Sequence, residues 1–232
     1  MLADAPEPRR DPNAMEVTVT CAASTPFPET MPPQPDGRDT VIREMDHRIK
    51  NHLQLLAAYA RVASKRRGLT VGELAEDMAD KLAAIAGAHD ALHRAGGRGF
   101  GLARPFLETL VAAFTGSRHR IYVDCDPALQ LPAAELAPIG MIVSEAISNA
   151  LKHAFPVGGD GRIWVRLTQE AGRVKLTVRD DGVGMTDLPG ERISGRGLID
   201  TLARQLGGYA RLGSAPFGGA LVSVIYPRIA AG

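Results

Sequence analysis

Two successive amphipathic stripes constrain this chain more than any other feature. Ile42, Met45, Ile49, Leu53, Leu56 and Ala60 recur at steps of three and four, which marks one apolar helical face. That helix is predicted to end at "SKRRG", where basic residues fill the last turn and Gly68 stops it. A second helix is predicted to open at Thr70, because "TVGE" has the spacing of a capping box. Its apolar positions are Leu74, Met78, Leu82, Ile85 and Leu92. Two such helices joined by a tight turn form an antiparallel hairpin, and each stripe is then only half covered. Pairing two copies into a four-helix bundle completes the burial, so a homodimer is expected.

The remainder of the 232 residues divides around that hairpin. Residues 1–38 hold half of the 16 prolines and little periodicity, which predicts a disordered leader. The hairpin is expected to occupy residues 39–98, and a second domain residues 99–232. In the latter, "LARPFLETLVAAFTG" and "GLIDTLARQLGG" read as helices, and "PAAELAPIGMIVSEAISNALKHAF" as a long, strongly apolar one. "RIYVDCD" and "ALVSVIYP" read as strands, and "GRIWVRLTQ" and "RVKLTVRD" as a hairpin around "EAGR". The fold class is therefore α+β: a helical hairpin followed by a two-layer α/β sandwich with a largely antiparallel sheet.

Bulk properties exclude several functions. A net charge of +1 (27 basic against 26 acidic residues) leaves no electrostatic footprint for nucleic acid. Apolar runs fall short of the roughly 18 residues a membrane span needs, and no apolar signal core opens the chain. Cys21 and Cys125 are too few and too isolated for a disulfide framework or metal site, so a cytoplasmic location is expected.

Three clusters interrupt the apolar patterns of the second domain. In "EAISNALKHAF", Glu145, Asn149, Lys152 and His153 follow at spacings of four, three and one, so most share one helical face. An acid, an amide and a lysine so placed suit a magnesium-phosphate site, with an amide oxygen for the ion and a point charge for phosphate. The alternative is an ordinary solvated face. "DDGVGM" follows a strand: Asp180 could accept from a ligand amine, and Gly182 and Gly184 permit close backbone approach. As a plain turn, Asp-Gly is equally familiar. "SGRGL" places Gly195 and Gly197 just before a helix, where backbone amides could face phosphate.

In this order the clusters resemble the Bergerat-fold (GHKL) ATP-binding domain shared by histidine kinases, gyrases and mismatch-repair ATPases, over about residues 103–228. The resemblance implies ATP and Mg²⁺ as ligands. Asp180 would hold the adenine amino group, Asn149 would ligate Mg²⁺, and Lys152 would lie near phosphate, with His153 a weaker nucleotide-site candidate. Gly182, Gly184, Gly195 and Gly197 would line the nucleotide and hinge a lid over residues 185–196. Arg196 departs from a commonly apolar position, and Ala220 stands where a threonine is usual.

The hairpin adds "HRIKNHLQLL", in which His47 and Asn51 are one turn apart and away from the apolar stripe. An exposed imidazole near neutrality offers a ring nitrogen as nucleophile. With the second domain, this resembles sensor histidine kinases of the H-R-x-x-N phosphoacceptor class, relatives of the HWE group; Trp164 does not form that group's W-x-E element. By that resemblance His47 takes the γ-phosphoryl group of Mg-ATP and passes it to an aspartate of a response-regulator receiver domain. Glu145 joins the catalytic set, and Asn51 positions water for dephosphorylating the partner. Only about 38 residues precede the hairpin, so input is expected from the leader or a separate sensor protein. Two alternatives carry other chemistry. One is a histidine phosphotransfer protein or receiver phosphatase with little autokinase activity; the other is a GHKL serine kinase or anti-sigma binding protein, which would have no use for His47.

Overall fold

A computed structural model of the chain describes residues 49, 50, 52–57, 59–61, 63, 70–96, 99–114, 119–155, 160–185, 194–216 and 218–228. All lie in one compact unit, Ile42–Gly232. The proline-rich leader, His47, Asn51 and most of the expected lid lie outside the described residues.

The described positions between 49 and 63 are helical. Helix α1 (Val71–Arg94) begins as its sequence dictates: the Thr70 hydroxyl accepts from Glu73 N–H at 3.2 Å, and Glu73 Oε2 accepts from Thr70 N–H at 2.8 Å. Between these two helices the buried side chains are His52, Leu55, Tyr59 and Ala63. The expected stripes are buried in part: Leu56, Leu74 and Met78 pack on the core and Ile85 and Leu92 are buried, whereas Ile49 is 45%, Leu53 60% and Leu82 52% exposed. The N-terminal helix is apolar on two faces. The face carrying the Tyr59 ring packs inward, where it removes more surface from water than the Ile49–Leu53 side.

Beyond α1 lie β1 (Phe100–Leu102), α2 (Ala103–Ala112), β2 (Arg120–Cys125), β3 (Gln130–Pro132) and α3 (Ala133–His153). Then come β4 (Arg162–Glu170), β5 (Arg173–Asp180), α4 (Ser194–Gln205), β6 (Tyr209–Ser214) and β7 (Ala220–Pro227). The main sheet runs β2-β4-β5-β7-β6; β2 and β4 are parallel and every other pairing is antiparallel. Strands β1 and β3 form a separate antiparallel pair. In the β4–β5 hairpin, Ala171 (φ 47°) and Gly172 (φ 72°) make the turn that "EAGR" predicts. Period-two alternation sends Ile163, Val165, Leu167, Val174, Leu176 and Val178 into the core.

Helix α3 packs against β4 and β5 on one side and α1 on the other, while α4 covers β6 and β7. Burial on both sides explains why α3 is apolar nearly all round, with 16 of its 21 residues buried. It also removes the solvated-face alternative for Glu145, which is 2% exposed, while Lys152 and His153 at the end of the helix are exposed. Phe106 of α2, fully buried, fits between α1 and α3 because Gly140 leaves room; a Cβ there would come within 2.8 Å of the ring. Truncating Phe106 to Ala should cost about 3–5 kcal/mol, read as a lower urea midpoint with an unchanged slope.

Candidate functional site

The site forms where the C-terminal end of α3 meets the loop after β5. Asp180 ends β5 and is 4% exposed. Its Oδ1 accepts from the backbone N–H groups of Gly182 and of Ala220, each at 3.0 Å. Oδ2 takes no protein donor among the described residues, which leaves it for a ligand N–H. Around the carboxylate the walls are main chain. A Cβ at Gly182 would stand 2.2 Å from the Ala154 carbonyl oxygen; one at Gly219 (φ 82°) would be closer still to that of Asp180. Gly184, at φ 81°, lies against Gly219. Val183 N–H donates to Ala154 O at 2.9 Å, stitching this loop to α3. Glycine is required here by close approach, as the sequence pattern implies.

Ala220 reaches Asp180 through its backbone N–H, a bond that does not depend on its side chain. The "SGRGL" cluster differs from expectation: Ser194 to Gly197 form the first turn of α4 rather than a loop before it. A helix N-terminus still directs unpaired amides outward, so the cluster keeps its suitability for an anion.

On α3, Asn149 Nδ2 donates to Glu145 Oε1 at 3.1 Å. The Glu145 carboxylate is paired in turn with Lys81 Nζ of α1, 2.9 Å away, and both side chains are buried. One turn earlier on α1, Asp77 pairs with Lys152. His153 is exposed at the end of α3. Thus Glu145 and Asn149 are brought together, Lys152 is turned onto Asp77, and Asp77 and Lys81 are participants that sequence reading missed. Their only signal was an acid and a lysine at i and i+4 within an amphipathic helix, which ordinarily marks a solvated face.

These residues fit a magnesium nucleotide on structural grounds. A buried carboxylate with one oxygen that takes no donor among the described residues suits an exocyclic amine, glycine walls suit close approach of a flat ring, and an amide oxygen suits a hard cation.

Comparison with known proteins agrees. Residues 135–229 match the family model for histidine kinase-, DNA gyrase B- and HSP90-like ATPases, so this part of the chain is a GHKL ATP-binding domain. Residues 44–126 match the model for HWE histidine kinases. That part of the chain is similar to the HWE histidine kinases, the position of Trp164 notwithstanding. It is 29% identical over 183 residues to blue-light-activated histidine kinase 2 of Erythrobacter litoralis, covering 73% of this chain and 52% of that protein. The anti-sigma F factor of Bacillus velezensis is 44% identical, but over only 54 residues, 23% of this chain and 37% of that protein. Among solved structures, the Erythrobacter litoralis EL346 blue-light activated histidine kinase aligns with a TM-score of 0.63 at 22% identity, covering 85% of this chain and 62% of that one, a likeness of fold. The chain spans about half or less of the length of these curated relatives. No helix among the described residues is long and apolar enough to cross a membrane.

The Asp77–Lys152 pair has a pH signature. Burial alone would raise the Asp77 carboxyl, but hydrogen bonds from Lys152 and Tyr59 outweigh it and hold the group below its ordinary value of 3.8. A carboxylate with a depressed folded-state pKa stabilises the fold above its unfolded pKa, and that contribution disappears as pH falls through the folded one. Asp77→Asn should therefore cost about 1–3 kcal/mol near neutrality. In urea melts across pH, the gap between variant and wild type should close below pH 3.8.

Proposed function

We propose that the chain is the catalytic portion of a two-component histidine kinase that phosphorylates His47 from Mg-ATP. The observation that carries this reading is Asp180, whose carboxylate is fixed by two backbone amides within a cradle of glycine main chain. Asp180 Oδ2 would accept from the adenine amino group, while Gly182 and Gly184 line the ring. Asn149 would give its amide oxygen to Mg²⁺, which supplies charge neutralisation at the phosphates. Lys152, on exchanging Asp77 for phosphate, would add a second positive charge, with the helix N-terminus at Gly195 and Gly197 a third source. A ring nitrogen of His47 attacks the γ-phosphorus, an N–P bond forms as the β–γ bridging P–O bond breaks, and ADP departs. The phosphoryl group next passes from nitrogen to a carboxylate oxygen of an aspartate on a receiver domain, regenerating the imidazole. Asn51 would orient water in the reverse, dephosphorylating role.

Glu145 has a narrower part than a free catalytic carboxylate. Paired with Lys81, it serves Asn149 rather than moving protons. The exposed Ile49, Leu53 and Leu82 side chains support pairing with a second copy, for which they supply an apolar seam. A separate input protein acting on the hairpin completes the scheme.

The test is incubation with ATP labelled at the γ-phosphate, beside His47→Ala and Asn149→Ala. Wild type should take up an acid-labile, base-stable label, and both variants should lose at least about 100-fold of it, since each removes a reacting or charge-stabilising group. An acid-stable label on serine would favour the serine-kinase reading. Nucleotide binding without label would favour the phosphotransfer or phosphatase one.

A further inference from the structure

Among the described residues, Lys81 is the only lysine or arginine buried from solvent, with none of its surface exposed. It belongs to α1, not to the nucleotide-binding layer, yet its ammonium lies 2.9 Å from Glu145 Oε2 and 5.4 Å from the centroid of the Tyr59 ring. The other oxygen of Glu145 accepts from the amide nitrogen of Asn149 at 3.1 Å. A planar amide whose nitrogen is held on one side must present its oxygen on the other. The orientation of Asn149 is thus set by Glu145, and that of Glu145 by a cation from a different part of the chain.

We infer that Lys81 is a positioning residue for cation binding in the nucleotide site, acting through Glu145 on Asn149. Without the lysine, the buried Glu145 carboxylate loses the cation that faces its Oε2. Its Oε2 is then no longer held, so the carboxylate can rotate away from Asn149, whose amide oxygen no longer faces one direction. This rests on the ATP-site reading above and adds a residue of the hairpin to it. The hairpin thereby bears on how tightly the metal–nucleotide complex is held, before any phosphoryl transfer.

The experiment is calorimetric titration of the full chain with ATP, once with Mg²⁺ and once with EDTA. The ratio of the two dissociation constants gives the gain in affinity due to the metal. Lys81→Met keeps the length of the side chain and removes its charge. It should reduce the metal-dependent gain about 10-fold, while metal-free affinity, which depends on Asp180, changes less than about twofold. The double variant Lys81→Met/Glu145→Gln removes both charges of the pair and keeps an acceptor for Asn149. It should fold even where the single variant does not, and should recover the gain to within about twofold of wild type. An unchanged gain in Lys81→Met overturns the inference, as does an equal loss of metal-free and metal-bound affinity. A double variant that folds without recovering the gain does so too. Absence of ATP binding by the wild type overturns the nucleotide reading itself, which separates that failure from the failure of Lys81's role.

Discussion

A lysine deprived of water must find a carboxylate, and in this chain that demand joins two helices. Lys81 and Glu145 meet across the contact between α1 and α3, with Asp77 and Lys152 one turn away. Such pairs add little net stability, because desolvation offsets most of the attraction. Stability comes from the surrounding apolar contacts of Phe106, Ile139, Ile142 and Ile147, all fully buried. What the ion pairs contribute is selectivity: breaking one leaves a charge without the partner it faces across the contact.

The nucleotide side of the molecule is built on a different economy. Its key carboxylate, Asp180, is held by main-chain donors, and its walls are main chain at Gly182 and Gly219. A site made of backbone is rigid, since no side-chain rotamers need to be ordered when a ligand arrives. The mobile chemistry is confined to a few long side chains at its edge, Lys152 among them. On the proposed reading, recognition of a flat ring and placement of a phosphate chain would be divided between these rigid and adjustable parts.

Much of this was legible in the sequence because it is local. The capping box at Thr70, the turn at Ala171 and Gly172, the strand alternation and the three polar clusters each depend on neighbours within a few residues. The departures come from contacts distant in sequence. The N-terminal helix is apolar on two faces, and only packing selects the Leu55–Tyr59 side for the interior. Strands β1 and β3 have three residues each, too few for a periodic signal, and β6 follows a helix-ending glycine pair with weak alternation. Asp77 and Lys152 are separated by 75 positions, so nothing in the local pattern distinguishes that acid from its solvated neighbours.

The spacing of these ion pairs sets the register between the helices. Residues 77 and 81 of α1 face residues 152 and 145 of α3, so the two helices run in opposite directions with charges alternating along the contact. Sliding α1 by one helical turn, about 5.4 Å, matches like with like. In one direction Asp77 moves toward Glu145; in the other, Lys81 moves toward Lys152. Apolar side chains of similar size would tolerate such a slip, whereas facing charges of one sign would oppose it, the buried Asp77 and Glu145 most strongly. The two pairs therefore oppose sliding of α1 along α3 more than they oppose pivoting or separation.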